Sequence, residues 1–139
     1  ILDKIIDTSQ VLTTIGGITS ISQVAGMACL DKCYYWVDAF VEHLTKNRDY
    51  ALERISKMPK IKCHKPSAVY VIFPDISETG MESTDFVDYL LKEYKLSIVP
   101  GGSQFFGPGS SGHIRLCLAT SLELLQEGLN RLENALRNL

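Results

Sequence analysis

Near the end of the chain, Ile114, Leu116 and Leu118 alternate with His113, Arg115 and Cys117. A period of two is the mark of a strand with one buried face. Downstream the period changes. Leu122, Leu125, Leu129, Leu132, Leu136 and Leu139 recur three and four apart, which predicts a helix with an apolar stripe packed on the domain. A coiled-coil seam is the alternative, but the stripe is shorter than three heptads. Thr120 with Glu123 fits a capping box at its start.

A longer helical pattern lies upstream. Val37, Phe40, Val41, Leu44, Ala51, Leu52 and Ile55 keep helical spacing until Pro59, where a helix must stop. Ser20 with Gln23 fits a capping box, so the helix is expected over 20–58. That is long for a globular domain, and a break is expected at Gly26 or at the aromatic run Tyr34–Trp36. Before it, Ile1, Leu2, Ile5 and Ile6 suit a short amphipathic helix, and "VLTTIGGITS" reads as an extended or looped connector.

After Pro59, "IKCHK" and "AVYVIF" are rich in strand-forming residues, and Pro74 closes the second. "DISETGME" reads as a polar loop. Ser83 is expected to cap a helix presenting Phe86, Val87, Leu90, Leu91 and Tyr94 on one face. "LSIV" is a short strand, followed by the glycine-rich loop "GGSQFFGPGSSG" and the strand "HIRLCLA". The order is a long helix, then β-β-α-β-β-α. This predicts an α+β fold with helices covering one face of a small sheet.

Composition narrows the function classes. The 139 residues suit one globular domain, with 45% apolar and 22% charged residues. A net charge of −2 argues against nucleic acid as the main partner. No apolar run approaches the roughly 20 residues of a membrane span. Cys29, Cys33, Cys63 and Cys117 match neither a disulfide framework nor a zinc signature. They read as buried free thiols, which fits a cytoplasmic location, and no metal site is expected. The glycine-rich loop lacks the Gly-Lys-Ser/Thr of a nucleotide cradle.

Arg115 is the unusual residue. If Ile114, Leu116 and Leu118 face the helices, Arg115 projects from the other face near the mouth of the glycine-rich loop. Its planar, permanently charged fork matches a carboxylate. The alternatives are a solvated arginine or an ion pair with Glu82 or Glu93.

The neighbourhood of Arg115 resembles the C-terminal part of class I/II aminotransferases, the pyridoxal-phosphate enzymes of fold type I. The matching residues are Pro100-Gly101, Phe106-Gly107, Gly109, Gly112, Ile114-Arg115-Leu116, Thr120-Ser121 and Arg131-Leu132. Upstream, "PSAVYVIFPDI" is similar to the family's Gly-Ala-Phe-Tyr-x-x-Pro strand. "TSISQVAGMACL" and "NRDYALERISKMP" resemble the two ends of the helix linking its large and small domains. Ser67 stands in place of the usual glycine, Val69 where phenylalanine is common, and His113 where an aromatic or apolar residue is frequent.

The resemblance implies that Arg115 holds the α-carboxylate of an amino acid or 2-oxo acid substrate. It makes Phe106 a wall of the substrate pocket, with a buried loop anchor as the alternative. His113 is read as structural or solvated and Cys117 as packing. The family's cofactor lysine and the acidic partner of the pyridine nitrogen lie on the large domain. Neither Lys4 nor Lys46 has a matching setting.

The chain is therefore expected to be a piece of a longer enzyme. Residues 1–19 would be a connecting segment left from the large domain, and 20–139 the long interdomain helix and small C-terminal domain. No catalytic or cofactor-binding residue is assigned within it. Alone it is expected to be inactive and without pyridoxal 5'-phosphate. The resemblance also implies a homodimer. A free-standing amino-acid-binding regulatory module is the rival reading, and an assembly domain that self-associates through residues 1–40 is another. The amino donor stays open, as does lyase or synthase chemistry.

Overall fold

A computed structural model describes residues 1–9 and 18–139, so most of "VLTTIGGITS" lies outside the described residues. Five α-helices and three short strands are present among them: α1 (Leu2–Ser9), α2 (Ser20–Lys32), α3 (Tyr34–Ile55), β1 (Val71–Ile72), α4 (Ser83–Tyr94), β2 (Val99–Pro100), β3 (Ile114–Cys117) and α5 (Leu122–Arg137). A 3₁₀ turn covers Ser77–Thr79. Residues 1–41 form one compact unit and residues 42–139 another.

In the first unit, α1 is amphipathic as its spacing predicts. The long helix is interrupted at Cys33, one residue before the aromatic run, and Gly26 stays inside α2. Cys33 still donates its N–H to Cys29 O, but its dihedrals have left the helical region, and its own carbonyl accepts from Trp36 to start α3. Trp36 then stacks on Phe40 with ring centroids 4.9 Å apart. Ile21, Val24, Met27 and Leu30 of α2 are exposed.

The second unit is built on β3. Strand order is β1-β3-β2, all antiparallel. Ile72 pairs with Leu116, and Val99 with Arg115. The sheet is smaller than its β-rich sequence suggests. "IKCHK" contributes a single bridge, Lys62 to Asp75, and Asp75 bridges on to His113. Prolines frame these segments and remove ladder donors. Pro74 still accepts from Ile114 N at 3.0 Å. Val69 sits at φ 68°, a left-handed conformation that ends extended structure just before β1.

The core alternates as the sequence predicts. Ile114, Leu116 and Leu118 are buried while Arg115 and Cys117 are exposed. They join Ala51 and Ile55 of α3, Phe86 and Leu90 of α4, and Leu125, Leu129, Leu132 and Leu136 of α5 in one cluster. Burying each large side chain contributes about 1.5–3 kcal/mol. The leucine stripe of α5 thus packs within the domain. Leu122 and Leu139 at its ends are exposed, as are Val37, Val41 and, at 48%, Leu91.

All three caps differ from expectation by one residue. Thr19, not Ser20, caps α2 by accepting from Ser22 N at 3.3 Å, and Gln23 reaches back to Ile18 O. Ser121, not Thr120, caps α5 by accepting from Leu124 N. At α4 the capping position is Glu82, which makes no side-chain cap bond, and the Ser83 hydroxyl accepts instead from Gly112 N at 3.0 Å. A cap must hold extended dihedrals while its carbonyl accepts the first helical bond. Where two hydroxyl residues are adjacent, spacing alone does not say which of them does so.

Candidate functional site at the outer face of the central strand

The glycine-rich loop 101–112 connects β2 to β3 and is fixed by its own backbone. Gly101 N donates to His113 O at 2.8 Å. A side chain there would not fit, since a Cβ would lie 2.1 Å from Ser110 O and 2.6 Å from His113 O. The buried Ser110 hydroxyl accepts from Gly102 N at 3.0 Å and donates to Gly107 O at 2.8 Å. Gly112 N is held by Ser83 Oγ, and Gly112 O accepts from Ile76 N at 2.7 Å. Within this loop Phe105 and Phe106 both donate their N–H to Gly102 O. Phe105 remains exposed, and Phe106 turns to the sheet.

The ring of Phe106 meets the edge of Phe73 with centroids 5.2 Å apart. His113 stacks on Phe73 at 5.1 Å with planes 10° apart. Arg115 Cζ lies 5.7 Å from the Phe106 centroid. Four side chains from three segments therefore share the outer face of the sheet. His113 is half-buried and Nδ1 lies 3.1 Å from Ser111 O, so Nδ1–H donates and Nε2 is left as an acceptor in the neutral ring. Its role is a ring contact rather than free solvation.

Arg115 is exposed, and among the described residues no carboxylate forms an ion pair with it, Glu82 and Glu93 included. Nearby, the Ser77 backbone N–H, at 2.8 Å, holds the Asp75 carboxyl below the usual carboxylate range, helped by the Ser77 hydroxyl and by His113 and Lys62. An exposed arginine seated over an aromatic ring, with its outer donors open, is chemically a receptor for a planar anion.

The structure brings together the two residues assigned from the sequence, Arg115 and Phe106, and adds Phe73, which sequence reasoning missed. The signal was available. Ile72 is buried and Phe73 alternates with it, as Arg115 alternates with Ile114 and Leu116. The cysteine reading is corrected in part. All four thiols are free, yet Cys29 and Cys117 are exposed and Cys33 and Cys63 only half-buried. Cys117 lies on the exposed face because the strand alternation puts it there, so it is not a packing residue. Burial pushes the Cys63 thiol up. Among the described residues no three His, Cys, Asp or Glu side chains cluster as a metal site, and no helix is long and apolar enough to cross a membrane.

No family model matches the chain. Aspartate aminotransferase from Pyrococcus horikoshii is 36% identical over 124 residues, covering 88% of this chain and 31% of that protein. Cystathionine beta-lyase PatB from Bacillus subtilis is 34% identical over 123 residues, again 88% of this chain and 31% of the relative. Among solved structures, a PLP-bound candidate aminotransferase from Clostridium difficile 630 superposes with a TM-score of 0.82 at 31% identity, over 96% of this chain and 34% of that one. The chain spans about a third of the length of these relatives. It matches the C-terminal domain of the class I/II, pyridoxal-phosphate-dependent aminotransferases of fold type I. Its α+β architecture is that family's small-domain fold.

Proposed function

We propose that this chain is the small C-terminal domain of a pyridoxal-phosphate-dependent aminotransferase, and that Arg115 receives the α-carboxylate of its amino acid or 2-oxo acid substrate. The observation that carries this reading is the setting of Arg115. It stands on the central strand, over Phe106, with no carboxylate partner among the described residues. A rigid strand fixes the backbone from which Arg115 projects, and the Phe106 ring directs the guanidinium, so that both arms of a carboxylate can meet donors at once. Phe106 and Phe73 supply the apolar wall beside it. Residues 1–19 then act as the connecting segment, and residues 20–139 as the interdomain helix and small domain.

When bound in the whole enzyme, pyridoxal phosphate supplies the electron sink for amino-group transfer. The residues that hold it are assigned to the rest of that enzyme, and none of this chain is. The contribution of this chain is to bind and orient the substrate and to cover the site from water. The whole enzyme is taken to be a homodimer, a reading supported by the exposed apolar residues of α2. A cytoplasmic location is supported by four free thiols.

A lyase acting on an amino acid also needs a carboxylate anchor, and the β-lyase relative keeps that second reading open. The test is product analysis of the full-length protein with pyridoxal phosphate, amino acids and 2-oxo acids. A new amino acid and 2-oxo acid pair is expected. Ammonia release without a new amino acid would favour the lyase, and no turnover of either kind would overturn both.

A further inference from the structure

The stretch that leaves β3 carries backbone carbonyls that no ladder pairs. Leu118 O accepts from Thr120 N at 2.9 Å in a tight turn, and Thr120 O faces α3. The partner is Asn47, only 1% exposed. Its Nδ2 lies 2.9 Å from Leu118 O and 2.9 Å from Thr120 O. An amide group has two N–H donors, so one side chain serves both carbonyls. One turn earlier on α3, His43 Nε2 lies 2.8 Å from Thr120 O. Thr120 O can only accept, so the proton sits on Nε2. The 3.1 Å contact between Asn47 Nδ2 and His43 Nε2 is then two donors side by side on one carbonyl, not a bond between them.

We propose that Asn47 is a positioning residue for Arg115, an inference that rests on the reading of Arg115 as the carboxylate receptor. The N-terminal side of β3 is fixed by Ile114 N on Pro74 O and by Gly101 N on His113 O. On the C-terminal side, Leu118 N donates to Tyr70 O, and Asn47 and His43 fix the two carbonyls beyond it. Arg115 lies between these anchors. Its two donors must meet a carboxylate in one plane, so a strand free to shift at one end gives a weaker receptor. Asn47 touches no substrate in this scheme and acts through the backbone of residues 118–120.

The experiment is a double-mutant cycle in the full-length, pyridoxal-phosphate-loaded protein. The probe is whichever of L-alanine, L-aspartate and L-phenylalanine binds most tightly. Asn47→Ala is expected to weaken binding about tenfold with Arg115 present, and by less than about twofold in the Arg115→Ala background. Amide hydrogen exchange without cofactor is expected to speed up at residues 115–118 and stay unchanged in α4. His43→Phe, which removes one donor only, serves as the second variant if Asn47→Ala does not fold, with the same pattern at smaller size. An equal loss in both backgrounds, or no loss with Arg115 present, would overturn the positioning role and leave the Arg115 reading intact. Binding that is indifferent to Arg115→Ala, or absent for all three probes, would overturn both.

Discussion

The guanidinium carbon of Arg115 lies 5.7 Å from the centre of the Phe106 ring, at the edge of attractive contact between a cation and an aromatic face. The ring gives a long, exposed side chain one preferred direction without using its hydrogen-bond donors. Replacing Phe106 by leucine keeps apolar volume and removes the ring. About 0.5–1 kcal/mol of orientation is lost. Carboxylate binding by the full-length protein is expected to weaken roughly two- to fivefold, read by calorimetry.

Two glycines of the loop differ sharply. A Cβ at Gly101 would lie 2.1 Å from Ser110 O, whereas at Gly107 it would meet nothing within 4 Å. Gly101→Ala must push apart the backbone that seats Phe106 and is expected to cost 1–3 kcal/mol or more, roughly the range for overpacking. Gly107→Ala is expected to stay within about 0.5 kcal/mol of the parent. Urea denaturation of the two variants side by side is the check.

Val69 holds a left-handed backbone at φ 68° and is 67% exposed, so its side chain gains little from packing. An L-residue in that region costs about 1–2 kcal/mol, and glycine would add about 0.5–1 kcal/mol of chain entropy loss. Val69→Gly is therefore expected to raise the denaturation midpoint slightly, while Val69→Thr leaves it unchanged. A lower midpoint for the glycine variant would contradict the assigned backbone.

Glu133 bridges α5 to α3. It accepts from Arg137 at 2.7 Å and from Arg54 at 2.8 Å. Arg137 first, then Arg54, holds its carboxyl below the usual glutamate range. Because the folded value is depressed, this stabilisation is present above the unfolded glutamate value near 4.5 and disappears as pH falls through the folded one. Glu133→Gln is expected to melt earlier at neutral pH, with the gap to the parent closing below pH ~4. A gap that is constant with pH would show that the charge contributes nothing.

The alternation around Arg115 was fully legible, because a strand with one buried face repeats every two residues and the apolar set must face the helices. The leucine stripe of α5 was legible for the same kind of reason. Sheet size was not. β-branched composition in "IKCHK" and "AVYVIF" says that extended backbone is favoured, but the prolines and the left-handed Val69 decide how much of it pairs. Two caps slipped by one because Thr19-Ser20 and Thr120-Ser121 each offer two hydroxyls, and the third slipped because the Ser83 hydroxyl is taken by Gly112 N from a distant loop. The site was half legible. Arg115 and Phe106 came from motif resemblance, while the contacts of Phe73 and Asn47 join segments distant in sequence.

The most direct measurement compares an amino acid with its own carboxamide as ligands of the full-length protein, before and after Arg115→Ala. A charged, two-pronged contact contributes about 1.5–3 kcal/mol. The parent is therefore expected to prefer the acid by roughly ten- to a hundredfold, and the variant to show almost no preference. An acid preference that survives Arg115→Ala would mean that the carboxylate is held elsewhere, and the account of this site would be wrong.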